Sequence, residues 1–224
     1  MSVKSVYLTI DDAPSKCMDE KIDFLLRYKI PALFFCRGEF IQKNNEQVVY
    51  AIKKGFLIGN HSYSHPYFST ISFEQCVEEI TKTEELINQC YNQANSTRSA
   101  KVIRVPFGDR GAGPCFKHPK TTVESIKVDK IQHFLKEQGF CPVLFGDMKS
   151  DFIDASWDWD PQDYKRELIA DVLQYEKNLK EFQQGSEKEE CVLLLHDFDF
   201  NHHLFKITMD FLLRMNIQFL SMKT

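Results

Sequence analysis

Short apolar runs alternate along the chain with longer segments of helical periodicity. The runs predict buried strands, because they are short and each is followed by polar residues. The predicted strands span residues 3–10, 32–36, 56–60, 102–106, 153–160, 192–196 and 217–220. The predicted helices lie near residues 18–28, 46–54, 73–91, 128–138, 162–182 and 204–215. The third helix should begin at Phe73, because Ser72 and Gln75 have the spacing of a capping box.

Strands that are separated by helices predict a parallel sheet joined by right-handed crossovers. The fold class is therefore α/β, either a barrel or a doubly wound sheet. At 224 residues the chain is slightly short for a complete eight-stranded barrel, which typically needs about 250 residues. Residues 1–224 are predicted to form one domain, with a long loop over residues 108–120.

Polar residues cluster where five of the apolar runs end. The ends of parallel strands meet at one rim of a sheet or barrel, so these residues can come together there. The clusters contain Asp11 and Asp12, His61 and His65, Arg104 with Pro106 and Gly108, Asp160 with Asp163, and His196 with Asp197. Carboxylates, imidazoles at metal-ligand spacing and a guanidinium can build the site of a metal hydrolase.

Composition narrows the classes of function. A net charge of -4, with no basic patch in the sequence, argues against a nucleic-acid partner. We expect no transmembrane segment, since no apolar run is long enough, and no export segment precedes the first predicted strand. The seven cysteines are odd in number and form no Cys-x-x-Cys pair, which favours a reducing compartment and hence a cytoplasmic location.

Each polar cluster also has an ordinary explanation when it is taken alone. An Asp before a helix often caps it, although two adjacent buried carboxylates imply a cation between them. His61 and His65, four residues apart, could be partly exposed histidines in a turn before Pro66. Two histidines with one carboxylate hold catalytic zinc, but they also hold iron in Fe(II) oxygenases. His196 alone would more often be a hydrogen-bonded core residue.

In combination and in order, the clusters resemble carbohydrate esterase family 4, the NodB-homology polysaccharide deacetylases. The segment 9–13 resembles the T-F-D-D-G motif of that family, and His61-Ser62-x-x-His65 matches H-[S/T]-x-x-H. Arg104-x-Pro106-x-Gly108 matches R-x-P-x-G, and residues 193–197 match L-x-L-H-D. The likeness spans nearly the whole chain in unpermuted order.

The chain departs from the family pattern at three places. Ala13 replaces a Gly, and Phe107 stands where many members have Tyr. The fourth motif, usually D-x-x-D-W, can be aligned with Asp163 followed by Tyr164. Asp158 followed by Trp159 is the competing register. We prefer Asp163, because the preceding strand then leads into the loop with the spacing of the family.

The resemblance implies a distorted (β/α)7-type barrel and metal-dependent hydrolysis of the N-acetyl group of an amino sugar, releasing acetate. It assigns Asp12, His61 and His65 as metal ligands, with Zn²⁺ as the default and Co²⁺, Ni²⁺ or Fe²⁺ as alternatives. The resemblance also assigns Asp11 as the general base and His196 as the acid that protonates the amine. Arg104 would orient Asp11, and Asp163 would hold Arg104. The backbone N–H of Phe107 would donate to the oxyanion, and Leu195 with Trp157 would form the walls of a slot for the acetyl methyl.

Three other functions stay open at this point. The same scaffold resembles allantoinase-type hydrolases of cyclic amides and ureides. A sugar-binding domain without catalytic activity would keep the fold, although the retained Asp pair and the histidines argue against it. An Fe(II) oxygenase would share the ligand set but not the barrel-rim context. The expected partner is an N-acetylated sugar, whether peptidoglycan, chitin-like or small.

Overall fold

A curved parallel sheet surrounded by helices forms the protein, whose computed structural model describes residues 2–114, 117–143, 153–154, 157–161 and 172–222. The strands are β1 (Ser5–Ala13), β2 (Ala32–Cys36), β3 (Leu57–Asn60), β4 (Ile103–Arg104), β5 (Ile153–Asp154), β6 (Glu190–His196) and β7 (Gln218–Phe219). The helices are α1 (Met18–Arg27), α2 (Gly38–Ile41), α3 (Asn45–Lys53), α4 (Phe73–Gln93), α5 (Thr122–Glu137), α6 (Val172–Gly185) and α7 (His202–Arg214).

The strand order is β5-β4-β3-β2-β1-β6, and every pair in it is parallel. β7 pairs with the first residues of β1, on the same side as β2 but before the β2 pairing begins. β1 is therefore the central strand, hydrogen-bonded on both sides. Because all strands run the same way, their carboxyl ends lie at one rim, as the sequence predicted.

The two edges of the sheet are joined by one short piece of chain. β5 pairs with β4 at one edge, whereas Trp159 pairs with Leu193 of β6 at the other. The five residue steps from Asp154 to Trp159 can span at most about 17 Å. The sheet must therefore curl until its edges lie close together. This geometry confirms the prediction of a distorted barrel.

Side chains alternate between the two faces of each strand, as the period of a β-strand requires. Tyr7, Phe35 and Val192 lie in an inner cluster enclosed by the curled sheet. Ile10 and Leu195 belong to the larger cluster between the sheet and the helices. Positions two residues along from an inner residue point inward as well, so the inner face carries functional groups toward the carboxyl ends.

Two helix boundaries show how far local sequence signals reach. α4 begins at Phe73 with a complete Ser72–Gln75 capping box, as predicted. α5 begins at Thr122, well before the predicted residue 128, and a second capping box between Thr121 and Glu124 explains the earlier start. The apolar periodicity did not predict this start, because apolar residues in the first turns of α5 are exposed rather than packed against the core. Among the described helices, none is both long and apolar enough to traverse a bilayer.

Candidate active site

Three side chains at the carboxyl rim bring their ligand atoms together. Asp12 comes from the end of β1, and His61 and His65 from the loop that follows β3; their ligand atoms all lie within 4.8 Å of one another. Nε2 of His65 is 3.5 Å and Nε2 of His61 is 3.9 Å from the same oxygen of Asp12. In the described part of the chain, this is the one group of its kind close enough to share an ion.

The imidazole orientations suit metal binding. Nδ1 of His61 is 2.6 Å from the carbonyl oxygen of Arg104, so the ring donates there and keeps the Nε2 lone pair for the site. Burial, followed by the neighbouring His61, lowers the pKa of His65 to about 3. His65 is therefore neutral at neutral pH, which is the form that binds a metal.

An irregularity in β1 lets both adjacent carboxylates face the site. The register with β2 shifts between Ile10 and Ala13, and Asp12 has a φ of 58°. In a regular strand, neighbouring side chains point to opposite faces, whereas a bulge changes the direction of one of them. Oδ2 of Asp11 consequently lies 3.7 Å from Nε2 of His61, close to the Asp12 carboxylate.

The loop that carries His61 and His65 is held from α4. The Glu79 carboxylate accepts hydrogen bonds from the backbone N–H groups of Tyr63 and Ser64 and from the Ser64 hydroxyl, at 2.7–2.8 Å. His65 itself has a φ of 63°, a conformation that a non-glycine residue holds only when its surroundings enforce it. Glu79 is thus a positioning residue that no motif indicated.

Asp11 is paired with a fully buried guanidinium. Nη1 of Arg104 donates to Oδ1 of Asp11 and to the Thr9 hydroxyl, both at 2.8 Å. The guanidinium carbon lies 4.6 Å from the centre of the Phe35 ring and 5.8 Å from that of Trp157. One oxygen of Asp11 is therefore bound to Arg104, and the other faces the metal-ligand group. Trp157 lies beside this pair, half-buried.

His196 lies directly opposite Asp11 in the register between β6 and β1. Its Nδ1 is 3.8 Å from the Asp160 carboxylate. The sequence places Asp160 in the fourth polar cluster, but it does not predict the pairing with His196. Asp163, the predicted brace of Arg104, falls outside the described residues, so that role stays a prediction.

In the competing register of the fourth motif, the side chains of Asp158 and Trp159 bind groups away from the site. The Asp158 carboxylate accepts a hydrogen bond from the Val192 backbone N–H at 2.8 Å and pairs with Lys188 at 2.5 Å. The Trp159 ring stacks on Phe182, with centroids 4.5 Å apart, in the helix-facing core. Neither side chain approaches the metal-ligand group.

The predicted walls of the acetyl slot need one correction. Leu195 lies in the core between sheet and helices, because it points to the opposite face from His196. The residue of β6 that shares the face of His196 is Leu194, which is 2% exposed. The prediction of Leu195 as a pocket wall is therefore wrong. Strand alternation places Leu194 on the side of the pocket instead.

Phe107 flanks the metal-ligand group with its ring. It has a φ of 57°, and its ring centroid is 4.5 Å from that of His65. The Tyr67 ring stacks on the Phe107 ring, with centroids 3.9 Å and planes 13° apart. The ring thus fixes the position of His65, while the backbone at Phe107 turns sharply at the rim.

Two basic residues that no motif indicated, Arg37 and Lys21, complete the surroundings. Arg37 lies 3.5 Å from the Asp12 carboxylate and also pairs with Glu39. Lys21 and Asp197 form a completely buried ion pair, and Asp197 also accepts hydrogen bonds from Ser15. The backbone N–H of Asp197 donates to the carbonyl oxygen of Asp11 at 2.8 Å, which ties β6 to β1 at the site.

Comparison with known proteins points to one family. A family model described as polysaccharide deacetylase matches residues 1–124. The peptidoglycan-N-acetylmuramic acid deacetylase PdaC of Bacillus subtilis is 28% identical over 163 residues, and a peptidoglycan-N-acetylglucosamine deacetylase of Bacillus cereus is 36% identical over 105 residues. Among solved structures, the catalytic domain of a peptidoglycan N-acetylglucosamine deacetylase from Eubacterium rectale is similar, with a TM-score of 0.69 and 21% identity.

The extent of these matches differs between sequence and structure. The sequence matches cover 72% and 46% of this chain, but only 27% and 36% of the two Bacillus proteins. The structural match covers 99% of this chain and 89% of the Eubacterium chain. The chain thus corresponds to about a third of each Bacillus relative, and to nearly all of a solved catalytic domain with the same fold.

Proposed function

The chain belongs to the polysaccharide deacetylase family, and from this premise we propose that it is a metal-dependent deacetylase of an N-acetylated amino sugar in a glycan. The reaction would hydrolyse the acetamide, releasing acetate and leaving a free amine. The observation that carries the proposal is the convergence of Asp11 and His196, opposite each other on neighbouring strands, beside Asp12, His61 and His65.

The donor atoms of Asp12, His61 and His65 fit a divalent cation. Two imidazole nitrogens and one carboxylate oxygen are the ligand types of catalytic zinc, with positions left open for water and substrate. The hydrogen bond from His61 to the Arg104 carbonyl fixes the ligand orientation. A bound cation of this kind polarises the acetyl carbonyl and lowers the pKa of water toward neutrality. We take Zn²⁺ as the default.

Asp11 is proposed as the general base. Its Oδ1 is bound by Arg104, which orients the carboxylate, so Oδ2 is the oxygen that takes the proton of the attacking water. A general base must lie within hydrogen-bond reach of that proton. The hydroxide oxygen adds to the acetyl carbon, and the buried Arg104 prevents Asp11 from turning away during this step.

His196 is proposed as the general acid. As the C–N bond breaks, the leaving nitrogen takes a proton from the imidazole, because an unprotonated amide anion is a very poor leaving group. Asp160, 3.8 Å from Nδ1, orients the ring and offsets its positive charge. Collapse of the intermediate gives acetic acid, which ionises to acetate, and the sugar amine. Asp11 then holds a proton from water and His196 lacks one, and exchange with solvent restores both before the next turnover.

The surroundings supply two further proposed contacts. The backbone N–H of Phe107, at a sharp turn on the rim, would donate to the developing oxyanion. Leu194 and Trp157 would contact the acetyl methyl, since Leu194 shares the face of His196 and Trp157 lies beside the Arg104–Asp11 pair. A small apolar slot of this kind favours acetyl over bulkier acyl groups.

The test is acetate release from N-acetylglucosamine oligomers and from peptidoglycan fragments. We expect turnover that disappears when metal is stripped with a chelator and returns when Zn²⁺ is added. Ureides such as allantoin serve as the comparison, because they test the alternative hydrolase. Turnover of ureides without turnover of acetylated sugars would contradict the proposal, as would acetate release that a chelator leaves unchanged.

A further inference from the structure

A stepped series of aromatic rings leads from His196 to the protein surface. The ring of Phe198 is 6.1 Å from that of His196, and their planes differ by 2°. The ring of Phe200 is 5.1 Å from that of Phe198, with planes 11° apart. Rings that are nearly parallel at these centroid distances are displaced sideways from one another. We call this series the aromatic ladder.

The ladder is held in place by the residues between its rings. The sequence after His196 alternates Asp197, Phe198, Asp199 and Phe200. Asp199 accepts a hydrogen bond from the backbone N–H of Lys16 at 2.7 Å, and Asp197 is completely buried in its ion pair. The buried Asp197 thus anchors this segment inside the protein, and the exposed Asp199 ties it to the backbone at Lys16, so the chain that carries the two rings is held at two points.

The outer ring of the ladder is mostly in contact with solvent. Phe200 is 67% exposed, although a phenylalanine side chain gains free energy when it is removed from water. The Phe200 ring lies directly beside the Phe198 ring, and Phe198 in turn lies beside His196, the proposed catalytic acid. An exposed apolar ring that is continuous with a catalytic site indicates a contact with the substrate beyond the reacting group.

We propose that Phe198 and Phe200 form a stacking subsite for a pyranose ring adjacent to the sugar that is deacetylated. This inference rests on the proposed function. One face of a pyranose presents mainly C–H groups, which can lie flat on an aromatic ring while the hydroxyls stay in water. Parallel, stepped rings suit successive sugar rings of an oligomer. The ladder would therefore make an oligomer a better substrate than a monosaccharide.

The size of the ladder favours a sugar over a protein partner. Each aromatic side chain can bury only about 150–250 Å². Two such rings fall well short of the roughly 1,000 Å² that a stable protein–protein interface needs. Polar contacts lie close to the rings, between Lys16 and Asp199 and between Glu20 and His202, and they limit the apolar patch to an area nearer that of a sugar than that of a second protein.

The test compares substrate chain lengths in the wild type and in Phe200→Ala. We expect kcat/KM of the wild type to rise from the N-acetylglucosamine dimer to the tetramer. In Phe200→Ala, KM for the tetramer should increase about 3- to 10-fold with kcat changed less than twofold, as expected for losing one aromatic contact. Phe200→Trp should keep the preference for the tetramer. Val123→Ala, which removes a 76% exposed side chain on α5, is the matched control.

A binding measurement separates this inference from the proposed function. Calorimetry with the tetramer is done in the Asp11→Asn background, where turnover does not interfere, with and without Phe200→Ala. Weaker binding by the same factor supports the subsite, even if no acetate is ever released by the wild type. Equal binding and an unchanged KM would overturn the subsite while leaving a deacetylase function intact. Self-association that Phe200→Ala abolishes, with unchanged tetramer binding, would also overturn it.

Discussion

The pair of His196 and Asp160 makes the sharpest prediction about mechanism. Asp160→Asn removes one negative charge 3.8 Å from Nδ1 of His196 and keeps the size of the side chain. At an effective dielectric constant of about 20, opposite unit charges at this distance attract by about 4 kcal/mol. His196 is 22% exposed, so water and salt weaken this attraction.

We therefore expect Asp160→Asn to lose about 1.5–3 kcal/mol of transition-state stabilisation, a decrease of roughly 10- to 100-fold in kcat. KM and metal content should stay near the wild-type values, because Asp160 is neither one of the three metal-ligand residues nor one of the two rings of the proposed sugar subsite. Acetate release is measured under saturating substrate at several ionic strengths, and bound metal is measured in the same samples.

Asp158→Asn is the matched control for this variant. Asp158 is two residues away, but its carboxylate binds Lys188 and the Val192 backbone N–H, and an asparagine oxygen can still accept from that N–H. We expect near-normal kinetics and a stability change within about 0.5 kcal/mol. A silent Asp160→Asn combined with an inactive Asp158→Asn would refute the reasoning and restore the other register of the fourth motif.

Three more predictions follow from the described contacts. His65→Ala should remove both metal and activity without unfolding the protein, whereas His133→Ala, which changes a 72% exposed side chain, should do neither; metal analysis and acetate release decide. Asp11→Asn should keep its metal but lose at least about 100-fold in kcat, the scale of one general base, and retention of turnover would argue against that role. Lys21→Met leaves Asp197 buried without its cation and should cost about 3–5 kcal/mol in the free energy of unfolding; a loss below about 1 kcal/mol in urea titration would contradict it.

Much of the fold could be predicted from the sequence because its signals are local. A buried strand such as β2 is a continuous apolar run, and α4 has a capping box at its first residue. The parallel direction of the strands follows from the helices that separate them in the sequence. The early start of α5 is not visible in the apolar periodicity, because Val123 and Ile126 in its first turns are exposed. Its capping box, Thr121 with Glu124, is the local signal that marks this start.

The candidate site could be predicted where each motif is contiguous, and it could not where partners come from distant elements. Glu79 lies within the long regular helix α4, where nothing in its sequence neighbourhood distinguishes it from other glutamates. It contacts the metal-ligand loop only because α4 packs beside β3. Arg37 reaches Asp12 for a similar reason, across the neighbouring strands β1 and β2. Such positioning residues need the fold before they can be identified.

The outcome for β6 shows what a motif can and cannot decide. The motif identifies His196 by its neighbours in sequence, but it does not say which leucine shares its face. Strand alternation does, because a period of two places Leu194 beside His196 and sends Leu195 toward the helices. Beyond His196 the strand ends and Asp199–Asn201 form a 3₁₀ turn, so Phe198 and Phe200 are placed by their ring stacking rather than by strand alternation. The period of the strand thus places the acid and the proposed methyl contact on one face of β6, and the proposed sugar subsite continues from the acid through stacked rings.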